Sequence, residues 1–342
     1  MTTRAILRAL TICLIQAPLA MATTPLGPAP TPPSALPQEI ADSLGQRYMR
    51  IPAGSFEMGT AASRPRLLAA FPGMEPKRID ELADERPAHN VTIARAFYLG
   101  KYEVTVGAFA DFVAQSGYVV ESIADGTGGF GYSAEHDRQR PEAADAFKGR
   151  DRAYGWQNPG FAQTRAHPVT NVSLHDARAM AAWLTKQEGR TYRLPTEAEW
   201  EYSCKAGSKT LFPNGDQASS LAEVANTFDQ AALPHWLRWH DKALTRNDQF
   251  AFTAPVGQFQ ANAFGLHDMV GNVWEWVSDH YSDDYYAQSP SVDPQGPNDG
   301  PFVRRGGSWH TWAIYARCGF RNYNTAQSRY PLLGFRLVRE LN

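Results

Sequence analysis

Apolar residues recur along this chain at two spacings. In Tyr48-Met49-Arg50-Ile51-Pro52 they alternate in the manner of a half-buried strand, which predicts that the folded part opens near residue 46. Helical spacing then appears in three places. Phe109, Phe112 and Val113 share one face of a helix predicted over residues 105–114, and Gly117 ends it. Leu174, Ala177, Met180, Ala181 and Leu184 share a face over residues 174–187, with Ser173 as N-cap and Gly189 as the stop. Thr196-Glu197-Ala198-Glu199 opens a third helix as a capping box, the Thr196 hydroxyl accepting from the Glu199 amide and the Glu199 carboxylate reaching back. The rest reads as short strands and structured loops, with no internal repeat.

The first residues follow another pattern. Arg4 and Arg8 precede an apolar run over residues 9–15, and Ala20-Met21-Ala22 offers the small-x-small pattern of a cleavage site. Residues 1–22 are therefore expected to be a secretory signal peptide, cut before Thr23. The run falls far short of the roughly 20 residues that span a bilayer, and no other segment is apolar enough to be transmembrane. A linker rich in Pro, Ala and Thr is expected over residues 23–45, and one domain over residues 46–342. These features predict a periplasmic or secreted protein.

Composition and charge narrow the picture. Hydrophobic residues make up 43%, with 9 Trp, 14 Tyr, 17 Phe, 27 Gly and 24 Pro, which describes a large core wrapped mainly by loops and turns. The formal charge is −2. No long run of Lys or Arg could neutralise a row of phosphates, so nucleic acid is excluded as an expected partner. Loss of the signal peptide would remove Cys13 and leave Cys204 and Cys318, and an oxidising compartment favours their pairing over free thiols. The glycine-rich Asp125-Gly126-Thr127-Gly128-Gly129-Phe130 and the charged stretch after it lie in an expected surface insertion, residues 120–161, of the kind that often carries specificity.

Seven motifs then occur in order. They are Ile51-Pro52-Ala53-Gly54-Ser55-Phe56-Glu57-Met58-Gly59, Tyr102-Glu103-Val104-Thr105, His167-Pro168-Val169-Thr170-Asn171-Val172-Ser173, Tyr192-Arg193-Leu194-Pro195-Thr196-Glu197-Ala198-Glu199-Trp200-Glu201-Tyr202, Gly271-Asn272-Val273-Trp274-Glu275-Trp276, Arg305-Gly306-Gly307-Ser308-Trp309 and Leu333-Gly334-Phe335-Arg336. In this order the chain resembles the formylglycine-generating enzyme, or sulfatase-modifying factor, family. The resemblance implies an α+β, variant C-type-lectin-like fold, low in regular secondary structure and held by calcium. Core packing and tight turns account for most of the Trp and Gly in these motifs.

Two calcium sites follow from the resemblance. The first takes the side chains of Asn226 and Asp248 with the carbonyls of Thr227 and Phe250. The second takes the side chains of Asp268 and Glu275 with the carbonyls of Gly271 and Val273. Six to eight oxygens at about 2.3–2.6 Å suit calcium better than a transition metal; the competing reading is ordinary capping and turn hydrogen bonding. Cys204 and Cys318 fall where the family carries a disulfide.

The same resemblance implies a loss. Active family members place two more cysteines after Gly-Gly-Ser, where they bind copper and activate oxygen. Here the segment is Trp309-His310-Thr311-Trp312-Ala313-Ile314-Tyr315-Ala316, with no cysteine. Soft thiolates hold Cu(I), so the known oxidase chemistry has no ligands. Trp274, Ser308 and Arg321 stand at matching positions and, with Trp309, are the expected lining of a partner-binding cleft; no catalytic residue is assigned. His235 and His240 are five apart, not the i, i+4 spacing of a helical metal pair, and no His-x-x-x-His occurs, which argues against the iron-dependent sulfoxide synthases of this fold.

Among cysteine-free members the resemblance implies two roles. One is a regulatory or partner-binding protein at the cell envelope, such as an activator of the kinase pathway controlling type VI secretion, acting on a protein partner that can be membrane-anchored. The alternative is a periplasmic oxidoreductase in maturation of the pyoverdine siderophore chromophore.

Overall fold

The computed structural model describes Met1 and residues 36–139 and 147–341. The expected signal peptide, Met1 apart, and linker residues 23–35 lie outside the described residues. In chain order the strands are β1 (Glu39–Ala41), β2 (Arg47–Ile51), β3 (Gly54–Met58), β4 (His89–Ile93), β5 (Phe97–Gly100), β6 (Gly129–Tyr132), β7 (Phe147–Asp151), β8 (Tyr192–Arg193), β9 (Trp274–His280), β10 (Phe302–Arg305), β11 (Asn322–Asn324), β12 (Leu333–Phe335) and β13 (Val338–Arg339). The longer helices are α1 (Arg64–Ala70), α2 (Val106–Ser116), α3 (Leu174–Glu188) and α4 (Glu197–Lys205).

Local chemistry sets the helix ends. Thr105 caps α2 by accepting from Ala108 N at 3.1 Å, and Gly117 closes it with φ 69°. Ser173 caps α3 in a box completed by Asp176, and Gly189 closes it with φ 63°. Thr196 and Glu199 form the expected box at α4.

One sheet runs β1-β2-β5-β13-β8, antiparallel throughout, so strands near the two ends of the domain lie side by side. A second runs β11-β10-β9-β12, with β12 parallel to β9. β1 lies inside the expected linker and pairs Glu39 with Met49. Residues 37–45 of the expected linker therefore belong to the same compact unit as the domain. The physical reason is the turn after β1: Asp42 Oδ1 accepts from the amides of Leu44 and Gln46, both at 2.9 Å, and Gly45 takes φ 76°.

α4 lies at the centre, packed on β3, β9 and β10. Its Trp200 is fully buried, as are Trp276 and Phe335. Arg305, Arg317, Arg321 and Arg336 are buried too, and each meets a carboxylate. Arg305 donates to Glu197 at 2.8 Å and to Glu201 at 2.5 Å, and Arg317 donates to Glu85 at 2.9 and 2.5 Å. Such pairs survive burial because both charges and most of their hydrogen-bonding capacity are satisfied. Cys204 of α4 is joined to Cys318 by a disulfide across 114 residues.

Candidate functional site

The second oxygen group is built where β5, β9 and the chain after β12 meet. Glu275 projects from β9 into a fork of Arg336, whose Nε and Nη2 each approach it at 2.7 Å, while Trp200 Nε1 donates to it at 2.8 Å. Arg336 also donates to the carbonyls of Gly100 at 2.9 Å and His267 at 3.0 Å. Asp268 sits at φ 55°; its Oδ2 accepts from Gly257 N at 2.7 Å, and its buried Oδ1 has no partner. Glu103, just past β5, is fully buried with both carboxylate oxygens unpartnered.

Three carboxylates thus surround one guanidinium, which Glu275 already engages. Burial, with the charge of Asp268 next in effect, pushes Glu103 well above the usual carboxylate range, and burial pushes Asp268 up as well. Gly271, at φ 82°, packs so close that a Cβ would stand 2.2 Å from the Asn226 carbonyl oxygen. Among the described residues no three acidic, His or Cys side chains form a ready-made metal cage. A hard divalent cation here would need the carbonyls of Gly271 and Val273 beside Asp268, Glu275 and Glu103. The unpartnered oxygens of Glu103 and Asp268 are the groups such an ion would satisfy.

The first oxygen group looks different. Asn226 Nδ2 donates to the Phe252 carbonyl at 2.9 Å, while Asn226 Oδ1 and Thr227 Oγ1 are buried without partners. Asp248 Oδ1 accepts from Phe250 N at 2.9 Å. Its other oxygen faces Arg246 Nη2 at 3.3 Å, and burial pushes its carboxyl up to about 6. Arg246 further donates to the carbonyls of Ala222 and Ala225.

Segment 308–316 carries no cysteine, and around His310 it is packed on aromatic side chains. Gly306 and Gly307, at φ 95° and 79°, turn the chain against Trp200. Ser308 is tied to Thr311, backbone N to Oγ1 at 2.8 Å and hydroxyl to hydroxyl at 3.0 Å. Trp274, Ser308, Trp309 and Arg321 are all at most 5% exposed, so the expected cleft lining is interior and presents nothing directly to a partner. Trp274 packs on Phe320 at 5.9 Å. Arg321 grips Glu197 at 2.8 and 3.1 Å and lies over the rings of Tyr281 and Tyr286. Large aromatic side chains fill the space around these turns.

His310 shows how completely. Its ring lies 4.7 Å from Trp236, 5.0 Å from Trp239, 5.5 Å from Phe147 and 5.8 Å from Phe228. Nε2 is buried without a partner, and burial pushes the imidazole down to about 3. An imidazole that stays neutral across physiological pH is a poor general acid and, at so low a pKa, a poor base. The insertion closes the box. Phe147 of β7 packs on Trp309 and His310, Phe161 packs on Trp309 at 5.6 Å, and Tyr132 of β6 shares a 2.9 Å hydrogen bond with His235. Asp137 grips Arg238 at 2.6 and 3.0 Å.

Residues 34–341 match the sulfatase-modifying factor enzyme 1-like domain. The chain belongs to this family. It is 33% identical over 334 residues to the formylglycine-generating enzyme of Streptomyces coelicolor, covering 93% of this chain and 96% of that protein. It is 31% identical over 264 residues to the serine/threonine-protein kinase pkn1 of Chlamydia pneumoniae, 76% of this chain but 35% of the kinase. The solved structure of PvdO from Pseudomonas aeruginosa superposes with a TM-score of 0.66 at 29% identity, over 90% of this chain and 100% of that one.

Within this sulfatase-modifying-factor-like domain, Glu103 is the residue that sequence patterns alone had not joined to the oxygen groups. Its signal was an acid set between Tyr102 and Val104 in a motif otherwise suited to the core. Nothing in local spacing marked Arg246, which lies two residues before Asp248.

Proposed function

We propose that this family member does not oxidise cysteine to formylglycine and works instead as an exported, calcium-stabilised protein that binds and regulates a protein partner at the cell envelope. The observation that carries this is segment 308–317, where no cysteine stands and the space around His310 is filled by Trp236, Trp239, Phe147 and Phe228. Copper would find one neutral imidazole nitrogen and no thiolate. Calcium at Asp268, Gly271, Val273 and Glu275, with Glu103, would serve stability by neutralising buried charge.

Partner contact belongs on the insertion rather than on the buried turn residues. Ile123 is well exposed there, beside a cavity of about 470 Å³ lined by Ile123, Arg152 and Trp156. A related stretch within a protein kinase supports a place in a kinase pathway, such as the one controlling type VI secretion. Among the described residues no helix is long and apolar enough to cross a membrane, and export would rest on the leader at residues 1–22. The likeness to PvdO favours the second role, an oxidoreductase in siderophore chromophore maturation.

Affinity capture from envelope extract, with the wild-type chain and an Ile123→Glu variant, tests the first role. Recovery of one membrane-anchored protein by the wild type alone supports it. Oxygen-dependent turnover of a siderophore precursor by the purified chain would replace it with the second.

A further inference from the structure

The first oxygen group differs from the second in having a cation, Arg246, that reaches the oxygens of both neighbouring turns. Arg246 is only 14% exposed in its side chain, and its guanidinium lies among four oxygens. Nη1 donates to the Ala222 carbonyl, Nη2 donates to the Ala225 carbonyl and lies 3.3 Å from Asp248 Oδ2, and Nε lies 3.5 Å from Asp229 Oδ2. Asp229 is fully buried and accepts from the amides of Ala231 and Asp248, both at 2.8 Å. The Arg246 carbonyl in turn accepts from Gln230 N at 3.0 Å, so the 229–231 turn and the 246–248 turn hold each other. Phe259 covers the guanidinium at 5.6 Å from its ring centre.

We infer that Arg246 is a tethered substitute for the metal ion at the first group, and that this chain binds one structural calcium where its oxygen pattern suggests two. A calcium ion ligated by Asp248 would stand within a few ångström of a guanidinium already paired with that carboxylate, and in a partly dry site this repulsion is weakly screened. Arg remains charged at any pH the protein meets, and its planar fork of donors matches carbonyl and carboxylate oxygens. Asn226 Oδ1 remains an acceptor without a partner, but it is neutral and supplies no charge to draw an ion past Arg246. The second group also has an arginine on a ligand carboxylate, Arg336 on Glu275, but it differs in keeping the carboxylate oxygens of Glu103 and one of Asp268 unmet.

The inference goes beyond the proposed function, and calcium titration of metal-stripped protein by calorimetry separates the two. Wild type should bind one ion per chain, lost in Asp268→Asn and kept in Asp248→Asn. Arg246→Ala, with its folded state checked by circular dichroism, should bind one ion more than wild type, and that added ion should vanish in Arg246→Ala/Asp248→Asn. If wild type binds none while Arg246→Ala gains one, calcium at the second group fails and the tether stands. Two ions in wild type, one of them lost in Asp248→Asn, would overturn the tether, as would an Arg246→Ala chain that folds and gains none.

Discussion

Two regions joined by one disulfide have opposite characters. Cys204 lies on α4, one turn from the Trp200 that hydrogen-bonds Glu275, and Cys318 ends the segment after the Gly-Gly-Ser turn. On the Glu275 side, charge is concentrated and incompletely met: three buried carboxylates, one guanidinium and three carboxylate oxygens without partners. Around His310 the nearby charge, Arg238, is paired with Asp137, and the ring is enclosed by Trp, Phe and a neighbouring hairpin. Calcium bound as proposed would make the first tolerable, because its binding free energy would offset the cost of burying carboxylates. The second is an ordinary apolar core placed where the resemblance sets reactive thiols. Charges that stabilise the fold are retained, and the groups that would do chemistry are replaced by packing.

The largest test of this contrast is the covalent link itself. Reducing Cys204–Cys318 opens a loop of 114 residues that encloses both oxygen groups. It should cost about 4–5 kcal/mol in the chain-entropy account, read as a lower urea midpoint. Next is Glu275→Ala, which leaves Arg336 buried without its carboxylate and should cost about 3–5 kcal/mol. In wild type, chelator should lower the melting temperature, by an amount equivalent to about 2.7 kcal/mol if calcium had stood at a hundred times its Kd. The Glu275→Ala chain should show little of that dependence. An unchanged wild-type melting curve in chelator would break the charged half of the comparison.

A further expectation concerns a buried carboxyl away from both oxygen groups. Asp279 is buried at the start of α4, where it accepts from Glu197 N at 2.9 Å, and burial pushes its carboxyl up to about 8. The unfolded chain releases this proton near pH 4, so the contribution of Asp279 is full below about pH 4 and is lost progressively as pH rises to about 8. Asp279→Asn keeps an acceptor and should remove that slope, gaining at most about 1.4 kcal/mol per pH unit over the window. Urea melts at pH 5 and pH 8 read it, and equal gains at both would contradict the assignment. The smallest effect belongs to the apolar half. His310→Phe replaces an unpartnered buried nitrogen by a ring of similar shape and should leave stability unchanged or raise it by about 1 kcal/mol. A loss above about 2 kcal/mol would mean that His310 has a polar task.

Local features were legible in the sequence because they depend on a few adjacent residues. Thr105, Ser173, Thr196, Gly117 and Gly189 mark the helix ends they were expected to mark. The cysteine positions gave the pairing that the structure forms. β1 was obscured because its short run follows Pro-rich chain and pairs only through the Asp42 turn. The arginine–carboxylate pairs were not legible at all, since Arg317 and Glu85 are 232 residues apart and neither has local periodicity. For the same reason Trp274, Ser308, Trp309 and Arg321 were expected to line a cleft. Only the packing of the 120–161 insertion over its neighbours shows that region to be closed.

The central claim is that this fold persists here without its oxidase chemistry. The most direct test supplies copper, oxygen and a Cys-x-Pro-x-Arg peptide to the purified, calcium-loaded chain and follows the peptide thiol and the formation of aldehyde. The account predicts no thiol loss above the protein-free control and no aldehyde. Copper-dependent formation of formylglycine would contradict it.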